Sequence, residues 1–185
     1  MTEDKKTRIA AAFAQLAARR PIDKITVKEL VAQCGISRQT FYYHFQDLLE
    51  VMEWLVQQII QQALTNSLAA DSPQKAMEEF IQVSQQHRDL LLRLLSSQRR
   101  AQVERIFVQA MRESIRQMIF RQKPDLAVDH QDLEVALSFY AYATAGVVFE
   151  NSQRSGIATE QLAEKLCRLL SGKMIPLAEM LPTED

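Results

Sequence analysis

The chain has 185 residues, 47% of them hydrophobic, with only four glycines, five prolines and a net charge of −1. That is length enough for one large or two small domains with a substantial core. It is also too poor in turn residues for a β architecture and not charged enough for a disordered chain, so an all-α fold is predicted.

The first predicted helix runs from about Glu3 to Arg19, with Thr2 as its cap and Ile9, Ala12, Phe13 and Leu16 as its buried stripe. Lys5, Lys6 and Arg8 at its start either touch phosphates or form a solvated basic end. Pro21 stops the helix, and Ile22 and Ile25 tuck the connection into a small core. Thr26 then caps a second helix, with Glu29 three residues on completing a capping box and Val27, Leu30 and Val31 facing inward. Gly35 ends that helix where a positive φ is needed, Ile36 plugs the turn, and Ser37 caps a third helix.

In the third helix Phe41 and Phe45 are four apart and share a buried face, while Gln39 and Tyr43 lie nearly opposite, flanked by Thr40 and Tyr42. Two short helices around a sharp turn have the layout of a helix-turn-helix. The outward dressing suits a major groove: Gln pairs with adenine in a bidentate way, Arg38 with guanine, and hydroxyls meet phosphate. Charge agrees, since residues 1 to 46 hold eight Lys or Arg against four Asp or Glu, and residues 47 to 185 hold fourteen against nineteen.

The run from Gly35 to Phe45, Gly-Ile-Ser-Arg-Gln-Thr-Phe-Tyr-Tyr-His-Phe, resembles the signature of the TetR family of transcriptional regulators, and residues 8 to 51 all fit that family's DNA-binding domain. The resemblance implies a helix-turn-helix domain over residues 1–46 and a helical regulatory and dimerisation domain over 47–185. It also implies a cytoplasmic homodimer on a palindromic double-stranded DNA operator, repression as the family default, and release by a small-molecule effector. Thr26, Ser37, Arg38, Gln39, Thr40, Tyr42, Tyr43 and His44 are the expected DNA-binding residues. One departure stands out: Leu48 occupies the position where the family usually has a phosphate-contacting lysine. The wording Phe-Gln-Asp-aliphatic with Trp54 soon after is similar to a subgroup of activators of dihydroxyacetone kinase operons, which implies a regulator that is either ligand-independent or controlled by a protein co-regulator in place of the small molecule.

Asp47 and Glu50 repeat the capping-box pattern and open a longer helix through about Asn66. Asp71-Ser72-Pro73 marks the next boundary, followed by helices near 73–86, 87–96 and 98–122. Phe80, Val83, Leu91, Leu94, Leu95, Val103, Phe107, Met111, Ile115, Met118 and Ile119 are the expected inward residues. The long helix carries Arg99, Arg100, Arg105, Arg112, Arg116, Arg121 and Lys123, either for an anionic effector or acidic partner or as a solvated face paired to acids elsewhere.

A further helix starts at Asp129 or Asp132 and reaches about Arg154, with too many apolar residues for one buried stripe, so it needs more than one partner. After Ser155-Gly156 a last helix runs near 159–175 until Pro176. Two long, over-apolar final helices make a four-helix bundle with a second copy, and the interface is placed on Ala143, Val147, Leu162, Leu166, Leu169 and Leu170. Trp54, Phe80, Phe107, Met111, Phe139, Tyr140 and Tyr142 either enclose an apolar ligand, with Arg88 or Arg112 orienting its polar end, or are ordinary core.

His44, His87 and His130 are far apart and lack metal-ligand spacing, and no phosphate loop or nucleophile motif occurs, so no metal, no cofactor and no enzyme activity are expected. A helical enzyme or adaptor is the rival reading. Cys34 and Cys167 have no partner spacing, which fits a reducing compartment, and neither a secretory signal nor a membrane span is read.

Overall fold

The computed structural model describes residues 5–153 and 157–171, which are all-α. In order come α1 (Lys5–Arg19), a 3-10 turn (Ile22–Lys24), α2 (Val27–Cys34), α3 (Arg38–His44), α4 (Leu48–Ala69) and α5 (Pro73–Gln86). They are followed by α6 (Arg88–Leu95), α7 (Arg100–Gln122), α8 (His130–Gln153) and α9 (Thr159–Leu170). The expected cap at Thr2, the Ser155-Gly156 turn and the extension of the last helix to Met174, Ile175 and Pro176 lie outside the described residues.

Two compact units emerge. One holds the described residues up to Gln61 together with His87–Ala110, and the other holds Gln62–Gln86 and the described residues from Met111 onward. None of the three cuts falls at residue 46; one passes through α4, one between α5 and α6, and one through α7. At about 1.5 Å per residue, helices of 22 and 23 residues outrun a small core.

In the first unit α1 packs on α2, α3 and α6, and α2 packs on α3. Ile9, Phe13, Leu30, Phe41 and Phe45 are sealed at its centre, with Ile22 and Ile25 folded in from the connection. Each fully buried side chain of this size contributes about 1.5–3 kcal/mol, so the small head draws its stability from few residues. The Asp23 carboxylate accepts the Gln98 backbone N–H at 3.3 Å, tying the 3-10 turn to the chain ahead of α7.

In the second unit α5 packs on α9, burying Phe80, Ile81, Val83, Leu162, Ala163 and Leu166. The Ser67 hydroxyl donates to the Ala76 carbonyl at 2.8 Å and holds the end of α4 to α5. Arg112 and Arg116 of α7 both pair with Glu134 of α8. On the part of α7 that belongs to the first unit, Arg100 pairs with Glu104 along the helix at 2.6 Å, so three cations of the basic helix have acids as partners.

On α8 the residues Leu133, Leu137, Ala141, Ala145 and Val148 recur at helical spacing and are buried. A second stripe, Val135, Phe139, Tyr142, Ala143, Gly146 and Val147, recurs at the same spacing and is exposed on the single chain.

Candidate nucleic-acid interface

The platform beneath the interface is set by short-range hydrogen bonds. Thr26, in extended backbone, accepts the Glu29 N–H at 3.3 Å, while Glu29 accepts both the Thr26 N–H at 3.0 Å and its hydroxyl at 2.9 Å. Arg20 closes the group by pairing with Glu29. The Glu29 carboxyl therefore sits below the ordinary carboxylate range, held there first by the Thr26 hydroxyl, then by the Thr26 N–H and by Arg20. Gly35 is left-handed at φ 63° and ψ 37°, and its N–H donates to the carbonyls of Val31 and Ala32. An L side chain rarely adopts that φ, so glycine makes the turn between α2 and α3 without strain. Arg8 donates to the Cys34 carbonyl at 3.3 Å, placing a cation at the negative end of α2.

Ser37, again extended, accepts the Thr40 N–H at 3.0 Å, and the two hydroxyls lie 2.9 Å apart with one donating to the other. α3 then turns Phe41 inward with Phe45, the residue that ends it, and both are buried. Arg38, Gln39, Tyr42 and Tyr43 point outward; Tyr42 is 57% and Tyr43 84% exposed. Thr40 and His44 are half-buried, and the His44 ring stands edge-on to Tyr43 at 5.0 Å. A helix of seven residues showing two nearly bare tyrosines, an amide and a guanidinium offers donors and acceptors of the kinds that base edges and phosphates take.

Among the expected DNA contacts Thr26 caps α2, with its hydroxyl proton and its N–H both donated to Glu29. Leu48, at the lysine position, is the half-buried first residue of α4. The start of α4 is closed by Asp47, which accepts the Glu50 N–H at 2.9 Å, and by Glu50, which accepts the Gln46 N–H at 2.6 Å, one residue earlier than the capping box would have it. The Lys6 ammonium rests 5.2 Å from the centre of the Phe45 ring, so Lys6 and Arg8 both have partners within the head.

The residues of the expected ligand set differ in exposure. Phe139 and Tyr142 are exposed, at 66% and 65%, because they lie on the outer stripe of α8 rather than on its covered side. Phe80, Phe107 and Met111 are sealed as core, Tyr140 stands half-buried beside Phe139 at 5.5 Å, and Trp54 is half-buried beside Phe45. Arg88 reaches its neighbour Asp89 at 3.6 Å. Trp54, Arg88 and Phe107 fall in the first unit and the others in the second. The apolar groove of the second unit, about 360 Å³, has a different lining that includes Met77, Ile115, Met118, Ile119, Cys167 and Leu170. The hydroxyls of Ser114 on α7 and Thr144 on α8, neither of which lines that groove, are buried with no hydrogen-bond partner among the described residues.

Within the expected dimer set, Ala143 and Val147 are exposed on the outer stripe of α8, Leu169 is exposed and Leu170 half-buried. Leu162 and Leu166 are not at a surface: the packing of α9 on α5 buries them within the same chain. Val135, Phe139, Tyr142 and Gly146 complete the exposed stripe and were legible only as a second helical periodicity in an over-apolar segment.

Both free cysteines are half-buried, and burial pushes each thiol up, away from the reactive thiolate. Among the described residues no group of His, Cys, Asp and Glu is placed to hold a metal ion, and no helix is long and apolar enough to cross a membrane.

Residues 9–50 match the family description of bacterial regulatory proteins of the tetR family, and residues 71–172 match that of a transcriptional regulator C-terminal region. No curated protein is matched by sequence. Among solved structures, the dihydroxyacetone kinase operon activator DhaS is 18% identical at a TM-score of 0.70, over 96% of this chain and 98% of its own. A tetR-family regulator from Streptomyces coelicolor is 16% identical at a TM-score of 0.68, over 95% of this chain and 85% of its own. Another from Streptococcus agalactiae is 16% identical at 0.65, over 89% and 92%. At such identities the structures share the fold and nothing finer.

Proposed function

Because the chain belongs to the TetR family of transcriptional regulators, whose members regulate by binding DNA, we propose that it binds a near-palindromic operator as a homodimer. In this reading residues 1–46 are the reading head and 47–185 the regulatory and dimerisation part. Arg38, Gln39 and Tyr43 face bases, while Ser37, Thr40, Tyr42 and His44 hold phosphates. The observation that carries the reading is α3 itself: Phe41 and Phe45 anchor it completely while its polar and aromatic opposite face stays open.

The exposed stripe of α8 supports the homodimer. A face carrying Val135, Phe139, Tyr142 and Val147 needs a cover, and Ala143 and Gly146 let another helix approach closely. A Cβ built on Gly146 meets nothing within 4 Å in the single chain, so the small residue serves a neighbour from outside it. The stripe lies on α8, and on α9 Leu169 is exposed and Leu170 half-buried.

Repression relieved by an effector is the first reading of control. The orphaned hydroxyls of Ser114 and Thr144 support it, since a buried polar group without a partner is costly and a ligand oxygen or nitrogen would satisfy it. An effector acts by favouring a head-to-head distance unsuited to the DNA. The second reading is an activator controlled by a protein partner, favoured by the likeness in fold to the operon activator DhaS. A thermal-shift screen of small ligands separates them, because a ligand that binds only the folded form raises its stability.

The DNA-binding reading is tested by selecting fragments bound by the full chain from random duplexes at low salt. Enrichment of two inverted half-sites about 34–36 Å apart, or a multiple of that turn, is the expected result. Failure to enrich any sequence refutes it.

A further inference from the structure

The residue that ends the reading helix is gripped from two other helices. Phe45 leaves α3 with extended backbone, φ −143° and ψ 138°. Its buried ring meets the Lys6 ammonium of α1 at 5.2 Å and the indole of Trp54 on α4 at 6.4 Å, with the ring planes crossed at 78°. Phe45 in turn lies 6.1 Å from Phe41, and Phe41 meets Tyr42 edge-on at 5.3 Å and 81°. A run of aromatic rings thus leads from Trp54 on α4 to Tyr42 on the open face of α3.

Trp54 is the only tryptophan in the chain and stays half-buried, unlike Phe41 and Phe45. Filling a core is therefore not its main use. Crossed aromatic contacts are directional, because a positive ring edge seeks a negative ring face, so such a contact fixes an angle as well as a distance. We propose that Trp54 is a positioning residue for the reading helix: through Phe45 it sets the tilt of α3, and with it the aim of the outward side chains at base edges. The inference rests on the DNA-binding reading above and adds the residue on α4 that makes that reading specific. Tilt governs base contacts more than phosphate contacts, since groove hydrogen bonds need alignment while a phosphate accepts from many directions. Removing the indole should therefore lower discrimination rather than general affinity.

The test uses the full chain, its selected operator and a scrambled duplex of equal length, with labelled-DNA anisotropy as the readout and circular dichroism as the control for folding. Trp54→Met keeps a flexible apolar side chain, though a smaller one, and removes the ring; it should weaken operator binding roughly tenfold, equivalent to ~1.4 kcal/mol, and leave the scrambled duplex unaffected. Trp54→Phe, which keeps a ring edge, should restore most of the operator-to-scrambled ratio. Should the Met variant fail to fold, Trp54→Leu takes its place. An unchanged ratio, an equal loss on both duplexes, or no rescue by Phe overturns the positioning role while leaving the DNA-binding reading intact. A wild-type chain that selects no operator overturns both.

Discussion

Tyr43→Ala tests whether this side chain serves DNA binding, as proposed, rather than the fold. Tyr43 is 84% exposed, so of the roughly 150–250 Å² an aromatic side chain can bury only about a sixth is covered. At ~25 cal/mol per Å² that is about 0.6–1 kcal/mol, with the His44 ring as one neighbour. Alanine is the better helix former by about 0.5 kcal/mol, which offsets much of the loss. The unfolding midpoint should therefore stay close to wild type. Operator binding should weaken by ~1–3 kcal/mol, the range for one lost base contact, with discrimination relaxed at one position in each half-site. The assay pairs chemical denaturation with anisotropy titrations on the operator and on single-base variants of it. Equal affinity with an unchanged base preference refutes the assignment of Tyr43 as a reader. A large loss of stability refutes the claim that it stands apart from the core. Phe41→Ala is the opposite control: its ring is fully buried, and its removal should cost about 3–5 kcal/mol.

Thr26→Ala should destabilise the head by about 1 kcal/mol through loss of the cap, and Thr26→Ser should recover it; equal denaturation midpoints for all three would count against the cap. The Glu29 carboxyl titrates lower in the folded chain than in the unfolded one, so its bonds contribute fully above the ordinary value of 4.5 and are lost as pH falls through the folded pKa beneath it. A Glu29→Gln variant should accordingly lose less stability than wild type on acidification below pH 4.5. Phe139→Glu on the outer stripe of α8 should yield a folded monomer by sedimentation, with operator affinity reduced. Leu166→Glu, on the buried side of α9, should instead unfold the second unit, and a folded dimer from either variant contradicts the placement of these faces. Thr144→Val removes a buried hydroxyl that has no partner, so its effect on stability should be neutral or favourable by up to ~1–3 kcal/mol; clear destabilisation in denaturant shows the hydroxyl to be bonded.

What the sequence determined by itself is the reading head. The caps at Thr26, Asp47 and Ser37 and the left-handed Gly35 depend on groups three or four residues apart, and the spacing of Phe41 and Phe45 fixes the open side of a short helix. Such features are local, so periodicity and hydrogen-bond chemistry suffice to place them. Tertiary structure decided what lies within reach of those residues, as when Arg20 pairs with Glu29 and Trp54 comes to rest against Phe45. It also decided the faces of α8 and α9. A helix apolar on two sides has no inward direction of its own, and only the packing of its neighbours shows that Leu137 is covered while Phe139 is bare. For the same reason Leu162 and Leu166, apolar and well spaced for a dimer seam, turned inward: α5 offered their stripe a partner within the chain, and burial takes the nearest apolar surface.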